Sequence, residues 1–144
     1  MRKYRKYPLE ILRVSESIHG IPMSSPEKVY EYMKAEALAD REMFWVLHIN
    51  NKNKVVKKEL TAMGTVNSCA VIPGIVLRSV VANGVPCIVT VHNHPSGDPA
   101  PSHEDRLLWR SLGEGCKLLG ITLVDNIIIG KDKYYSETES RGGG

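Results

Sequence analysis

The stretch PCIVTVHNHP, residues 86–95, decides how this chain is read. It is short and strongly apolar until His92, bounded by Pro86 and Pro95, and reads as a buried strand. His92 and His94 lie two residues apart, and the period of the pleat points both imidazoles to one face. One strand can therefore offer two nitrogens to a single metal ion. The following SGDPAP, residues 96–101, is turn-rich. Ser102 then opens a helix whose Leu108, Leu112, Cys116 and Leu119 share a stripe before Gly120 ends it.

Upstream, Ser25-Pro26-Glu27 supplies an N-cap, a first-turn proline and an early acid for a helix ending near Ala39. EMFWVLHIN from Glu42, a polar tip at Asn50-Asn51-Lys52-Asn53, and KVVKKELTAMG read as two strands of a hairpin. Pro73 begins a second helix with Val76, Val80 and Val81 on its apolar face and Asn83-Gly84 as its stop. Downstream, ITLVDNIIIG and KYYSE predict two further strands. Strands and helices alternating over one core predict a mixed α/β (α+β) sandwich without internal repeats.

The 144 residues and 42% hydrophobic content suffice for one core without disulfides. Residues 1–24 form a basic N-terminal arm, 25–137 the domain, and 138–144 a flexible tail. Net charge is +3, from 19 basic and 16 acidic residues, so no whole-molecule field demands a polyanion. Cys69, Cys87 and Cys116 are isolated and odd in number, which fits a reducing cytoplasm and excludes a thiolate zinc site. The N-terminus has no apolar segment behind its charges, and no run approaches the roughly 20 residues that span a bilayer. A soluble cytoplasmic protein without membrane partners is expected.

A third metal ligand must come from outside the strand, and Asp105, in the first turn of the next helix, is the obvious oxygen donor. Three protein ligands leave one tetrahedral position for water, as in a catalytic zinc site. The plainer readings are hydrogen-bonding histidines and a Ser102–Asp105 capping box. The spacing H-x-H-x7-S-x2-D, however, puts a strand end, a tight loop and a helix start around one point.

These residues resemble the JAMM/MPN+ (JAB) metalloprotease family, in its RadC-like branch. The matching stretches are His92 to Pro99, Pro101-Ser102, Glu104-Asp105, Leu118 to Ile121 and Ile127 to Gly130, within a likeness running from about Ser25 to Ser136. The resemblance implies a JAB/MPN-like, cytidine-deaminase-like sheet sandwiched by helices in one compact domain. It implies one zinc per chain on His92, His94 and Asp105, and Ser102 as an oxyanion stabiliser. It also implies a general base five residues before Gly64-Thr65, which is Glu59. Where the branch commonly shows Asp-His before the isoleucine run, this chain has Asp125-Asn126.

The leading expectation is a zinc-dependent hydrolase acting on a peptide or isopeptide in a peptide or protein substrate. One alternative is a DNA-repair-associated accessory protein that binds DNA weakly through Arg2, Lys3, Arg5 and Lys6, interleaved with Tyr4 and Tyr7. Another is a non-catalytic MPN interaction module. His19, His48 and His103 are expected to have no metal role, and Asp98 to form an Asx turn.

Overall fold

The computed structural model describes Met23, residues 25–64 and residues 70–142. The basic arm, with His19, therefore lies outside the described residues apart from Met23. Ser25 caps helix α1 (Pro26–Met33), its side chain accepting from the Lys28 N–H, and a 3-10 segment (Lys34–Leu38) extends it. Strands β1 (Met43–Ile49) and β2 (Val55–Met63) form the expected hairpin. Helix α2 (Pro73–Asn83), strand β3 (Cys87–Asn93), helix α3 (His103–Leu119), strands β4 (Thr122–Ile129) and β5 (Tyr134–Ser136), and helix α4 (Glu137–Gly142) follow.

The sheet runs β2-β1-β3-β4-β5. Every neighbouring pair is antiparallel except β3 and β4, which are parallel. A parallel pair needs a long crossover, and α3 supplies it. Alternate residues of the central strands feed two cores. Leu47, Val89, Val91 and Ile127 pack with Val29 and Met33 of α1 on one face. Phe44, Val46 and Ile88 pack with Val76 and Val80 of α2 and Leu112 and Cys116 of α3 on the other. The mixed α/β sandwich is thus the observed architecture.

Three readings change. Val81 and Leu119 are exposed, while Leu77 of α2 and Trp109 of α3 are buried, because each helix presents a narrower stripe to the sheet than its apolar content allows. The tail expected from residue 138 is instead helix α4, tied down by the Thr138 N–H on Asp125 Oδ1 (2.9 Å) and the Glu139 N–H on Ser136 Oγ (3.1 Å).

Tight packing between two turns fixes the path from β3 to α3. Gly97 has φ 90°, and its carbonyl accepts the Lys131 N–H at 2.9 Å. A Cβ on Gly130 would sit 2.3 Å from that carbonyl oxygen. Only glycine at 130 lets the β4–β5 turn approach the 94–102 loop this closely.

Candidate metal centre

His92 belongs to β3 and faces α3, whereas His94 follows the strand end and donates its N–H to Ile129 O at 3.1 Å. The His92 ring is 2% exposed, stacked on Phe44 (centroids 5.8 Å apart) and tilted against Trp109 (6.4 Å). His94 Nδ1 lies 2.9 Å from the Asp98 carbonyl, which accepts a hydrogen bond from Nδ1 and turns Nε2 toward Asp105 and His92. Asp98 forms the expected Asx turn, its Oδ1 accepting the Ala100 N–H at 3.0 Å.

Asp105 enters from the first turn of α3. The capping box is real: Ser102 Oγ accepts the Asp105 N–H at 3.1 Å and Asp105 Oδ2 accepts the Ser102 N–H at 2.9 Å. The plainer reading and the chemical one are the same geometry, because the box aims the carboxylate at the histidines. Oδ1 is 3.2 Å from His92 Nε2, and Oδ2 is 3.2 Å from His94 Nε2. The two Nε2 atoms are 3.3 Å apart. A tetrahedral zinc with ligand bonds of about 2.0–2.1 Å has ligand-to-ligand edges of about 3.3 Å, so these donors fit that ion.

Burial opposes charge on Asp105, but hydrogen bonds from His92, His94 and the Ser102 N–H outweigh it and hold the carboxyl well below the usual carboxylate range. For His94, burial is likewise outweighed by Asp105 and the Asp98 carbonyl, and its pKa is raised.

Glu59 does not join this group. It lies on edge strand β2 opposite Val46, which in turn pairs with Thr90, so two strand spacings, about 10 Å, separate it from β3. Its Oε1 is bound by the Ser79 hydroxyl of α2 and by His48 Nε2 at 3.0 Å. The carboxylate is therefore committed to a polar tie between β1, β2 and α2. His48, fully buried, has its place there and none at the metal centre.

The carboxylate beside the histidines is Glu42. It precedes β1, is 8% exposed, and offers an oxygen within 4.8 Å of a ring nitrogen of both His92 and His94. Burial pushes its pKa up, against the pull of the two imidazoles. Register explains the arrangement: Phe44 pairs with His92 on the last rung of the antiparallel β1–β3 ladder, and Glu42 and His94 each lie two residues beyond it at the same end of the sheet. In sequence Glu42 follows Asp40-Arg41 and looks like the end of a polar loop. The available signal is a lone acid directly before an apolar strand.

Asn93, fully buried, turns to the opposite side of β3 from His92. Its Oδ1 accepts the Met43 N–H at 2.8 Å and its Nδ2 donates to Arg41 O at 3.0 Å. Asn126 is bound by the Thr90 hydroxyl and donates to Glu137 Oε1 at 3.0 Å, tying β3, β4 and α4 together. His103 is exposed.

A family model described as the RadC-like JAB domain matches residues 23–142. The chain belongs to the RadC-like JAB domain family. A UPF0758 protein of Methanosarcina mazei is 41% identical over 115 residues, 79% of this chain and 50% of that relative. One from Actinobacillus pleuropneumoniae is 33% identical over 138 residues, 95% of this chain and 60% of the relative. One from Desulforudis audaxviator is 43% identical over 97 residues, 67% and 42% of the two chains. The chain thus spans about half the length of the curated relatives it matches. No helix among the described residues is long and apolar enough to cross a membrane.

Proposed function

We propose that this RadC-like JAB domain is a zinc-dependent hydrolase of a peptide or isopeptide amide, with His92, His94 and Asp105 as ligands and Glu42 as the base. The observation that carries this reading is the convergence of three donor tips at 3.2–3.3 Å with a buried carboxylate alongside. Glu42, His92 and His94 form a second three-donor set. Asp105 fits the ligand role better, because its oxygens stand at tetrahedral-edge distance from both histidines and its orientation is fixed by the Ser102 N–H.

His92, His94 and Asp105 would hold the zinc, which would supply Lewis acidity toward a carbonyl and a water. Glu42, kept basic by burial, takes the proton of an attacking water and returns it to the leaving nitrogen. Ser102 uses its oxygen to cap α3 and retains its hydroxyl proton for a developing oxyanion.

The test is elemental analysis of purified protein together with cleavage of a mixed peptide and isopeptide library. One zinc per chain is expected, lost in His92→Ala, His94→Ala and Asp105→Ala. Glu42→Gln is expected to keep zinc and lose cleavage, while Glu59→Gln keeps both. Stoichiometric zinc in all three ligand variants, or cleavage by Glu42→Gln, overturns the assignment. A metal-free, inactive wild-type chain returns the interaction-module reading.

A further inference from the structure

A second feature adjoins the metal centre. Between α3 on one side and β4 with α4 on the other runs a groove of about 680 Å³, open to solvent. Its inner end is formed by Arg106, the residue after the ligand Asp105, and by Trp109, which touches the His92 ring. From there it follows α3 past Arg110 and Gly113 to Lys117. The span from residue 106 to 117 is about 16 Å along a helix, the length of roughly five residues of extended peptide.

The walls differ in charge. Arg106, Arg110 and Lys117 are exposed, and among the described residues none of them forms an ion pair, although Arg106 lies over the Tyr135 ring at 6.0 Å. Of the acids opposite, Glu137 is paired with Arg141 at 3.6 Å, whereas Asp125 is buried and bound by the Ser136 hydroxyl and the Thr138 N–H, neutral donors that do not offset a charge. Glu114 and Asp125 oppose the three unpaired cations from within the groove. The groove therefore keeps a small positive balance, with Arg106, Arg110 and Lys117 exposed at its rim and Asp125 buried.

Gly113 adds an independent observation. Its neighbour Gly115 is required by packing, because a Cβ there would lie 2.9 Å from Leu77 Cδ1. A Cβ on Gly113 would meet nothing within 4 Å, yet a glycine inside a helix costs about 1 kcal/mol relative to alanine. Its bare backbone widens the groove midway between Arg110 and Lys117.

We infer that this groove binds an extended acidic peptide segment. Its role as the substrate cleft rests on the hydrolase reading; the binding itself does not. A peptide fits better than a polynucleotide, because a phosphate at every step would be forced against Glu114. A peptide can instead place a neutral residue there, set its carboxylates on the arginines, and rest an apolar side chain on Ile121 and Leu123 at the far end.

The experiment measures fluorescence anisotropy of a labelled ten-residue peptide of alternating Glu and Ala, with the Lys–Ala counterpart and a ten-nucleotide oligothymidylate carrying the same label. The Glu42→Gln protein is used, so that no cleavage intervenes and failure of the hydrolase reading leaves the result intact. Saturable binding of the acidic peptide is expected, weakened at least about tenfold by combined Arg106→Glu and Arg110→Glu and by Gly113→Trp, which fills the groove. Circular dichroism and zinc content are expected to be unchanged in these variants. Tighter binding of the oligonucleotide or the Lys peptide, or unchanged affinity in correctly folded groove variants, overturns the inference.

Discussion

Asn93 grips the backbone on both sides of Glu42, with Oδ1 on the Met43 N–H at 2.8 Å and Nδ2 on the Arg41 carbonyl at 3.0 Å. The residue between the two histidines thus sets the position of the carboxylate facing them. The Gly64 N–H adds a third hold, donating to the Glu42 carbonyl at 2.8 Å. The strand end that carries His92 and the Glu42 backbone are consequently one mechanical unit.

Replacing Asn93 by alanine leaves a half-buried N–H and a carbonyl without their partner, at a net cost of about 1 kcal/mol for each hydrogen bond lost. Asn93→Ala is expected to lower the urea midpoint and any amide cleavage while retaining zinc, since His92, His94 and Asp105 remain. Asn93→Asp keeps the acceptor for Met43 and is expected to fall between the two. Wild-type cleavage in Asn93→Ala would show that Glu42 needs no such hold.

Ser102 has two separable roles. Loss of its cap costs about 1 kcal/mol of stability when alanine replaces it but only a few tenths when glycine does. Loss of an oxyanion donor costs about 3 kcal/mol in rate with either. Ser102→Gly is therefore expected to unfold near the wild-type denaturant midpoint and still lose most activity. Ser102→Ala loses both. Equal, near-wild-type rates in the two variants would confine Ser102 to capping.

Gly130 lies outside the metal centre, but the loop carrying Asp98 rests on it. The 2.3 Å separation expected of a Cβ from Gly97 O cannot be relieved by rotating a side chain, because both partners are backbone. Gly130→Ala is expected to displace the 94–102 loop, weaken the Asp98 carbonyl's hold on His94 Nδ1, and lower zinc affinity along with the thermal midpoint. A chelator titration measures the affinity. Wild-type zinc retention would show that the loop is held by other contacts.

The Glu59 network predicts acid sensitivity unrelated to catalysis. Burial raises the Glu59 pKa, but hydrogen bonds from Ser79 and His48, with Lys57 at 3.8 Å, outweigh it and leave a net depression. A depressed carboxyl stabilises the fold fully above its unfolded value of about 4.3, and that contribution is lost as pH falls through the folded value. His48, pushed down chiefly by burial, adds a loss that begins near its unfolded value of about 6.5. Glu59→Gln is expected to flatten the fall in stability below pH about 4.3, and Ser79→Ala to reduce it, as read by urea unfolding across pH. An unchanged profile in both would mean that the network carries no linked proton.

The sequence alone determined whatever depends on neighbours along the chain. Pro26 and Pro73 started helices, Ser102 capped a third, and the alternation in 86–95 separated two core faces and set His92 on the side of α3. The Ser102–Asp105 spacing supplied the third donor for the same reason, since one helical turn fixes it. Only the tertiary structure decided which glutamate stands at the centre. Glu42 directly precedes an apolar strand and Glu59 lies within one, and neither position by itself says which carboxylate faces the histidines. The choice is made by the antiparallel register of β1 on β3, which brings the start of β1, with Glu42 before it, to the end of β3 that bears the histidines and leaves Glu59 two strands away with Ser79 and His48. Register is settled by long-range pairing of buried faces, in which shifting a strand by one residue would expose its entire apolar side, and no short window of sequence contains that constraint.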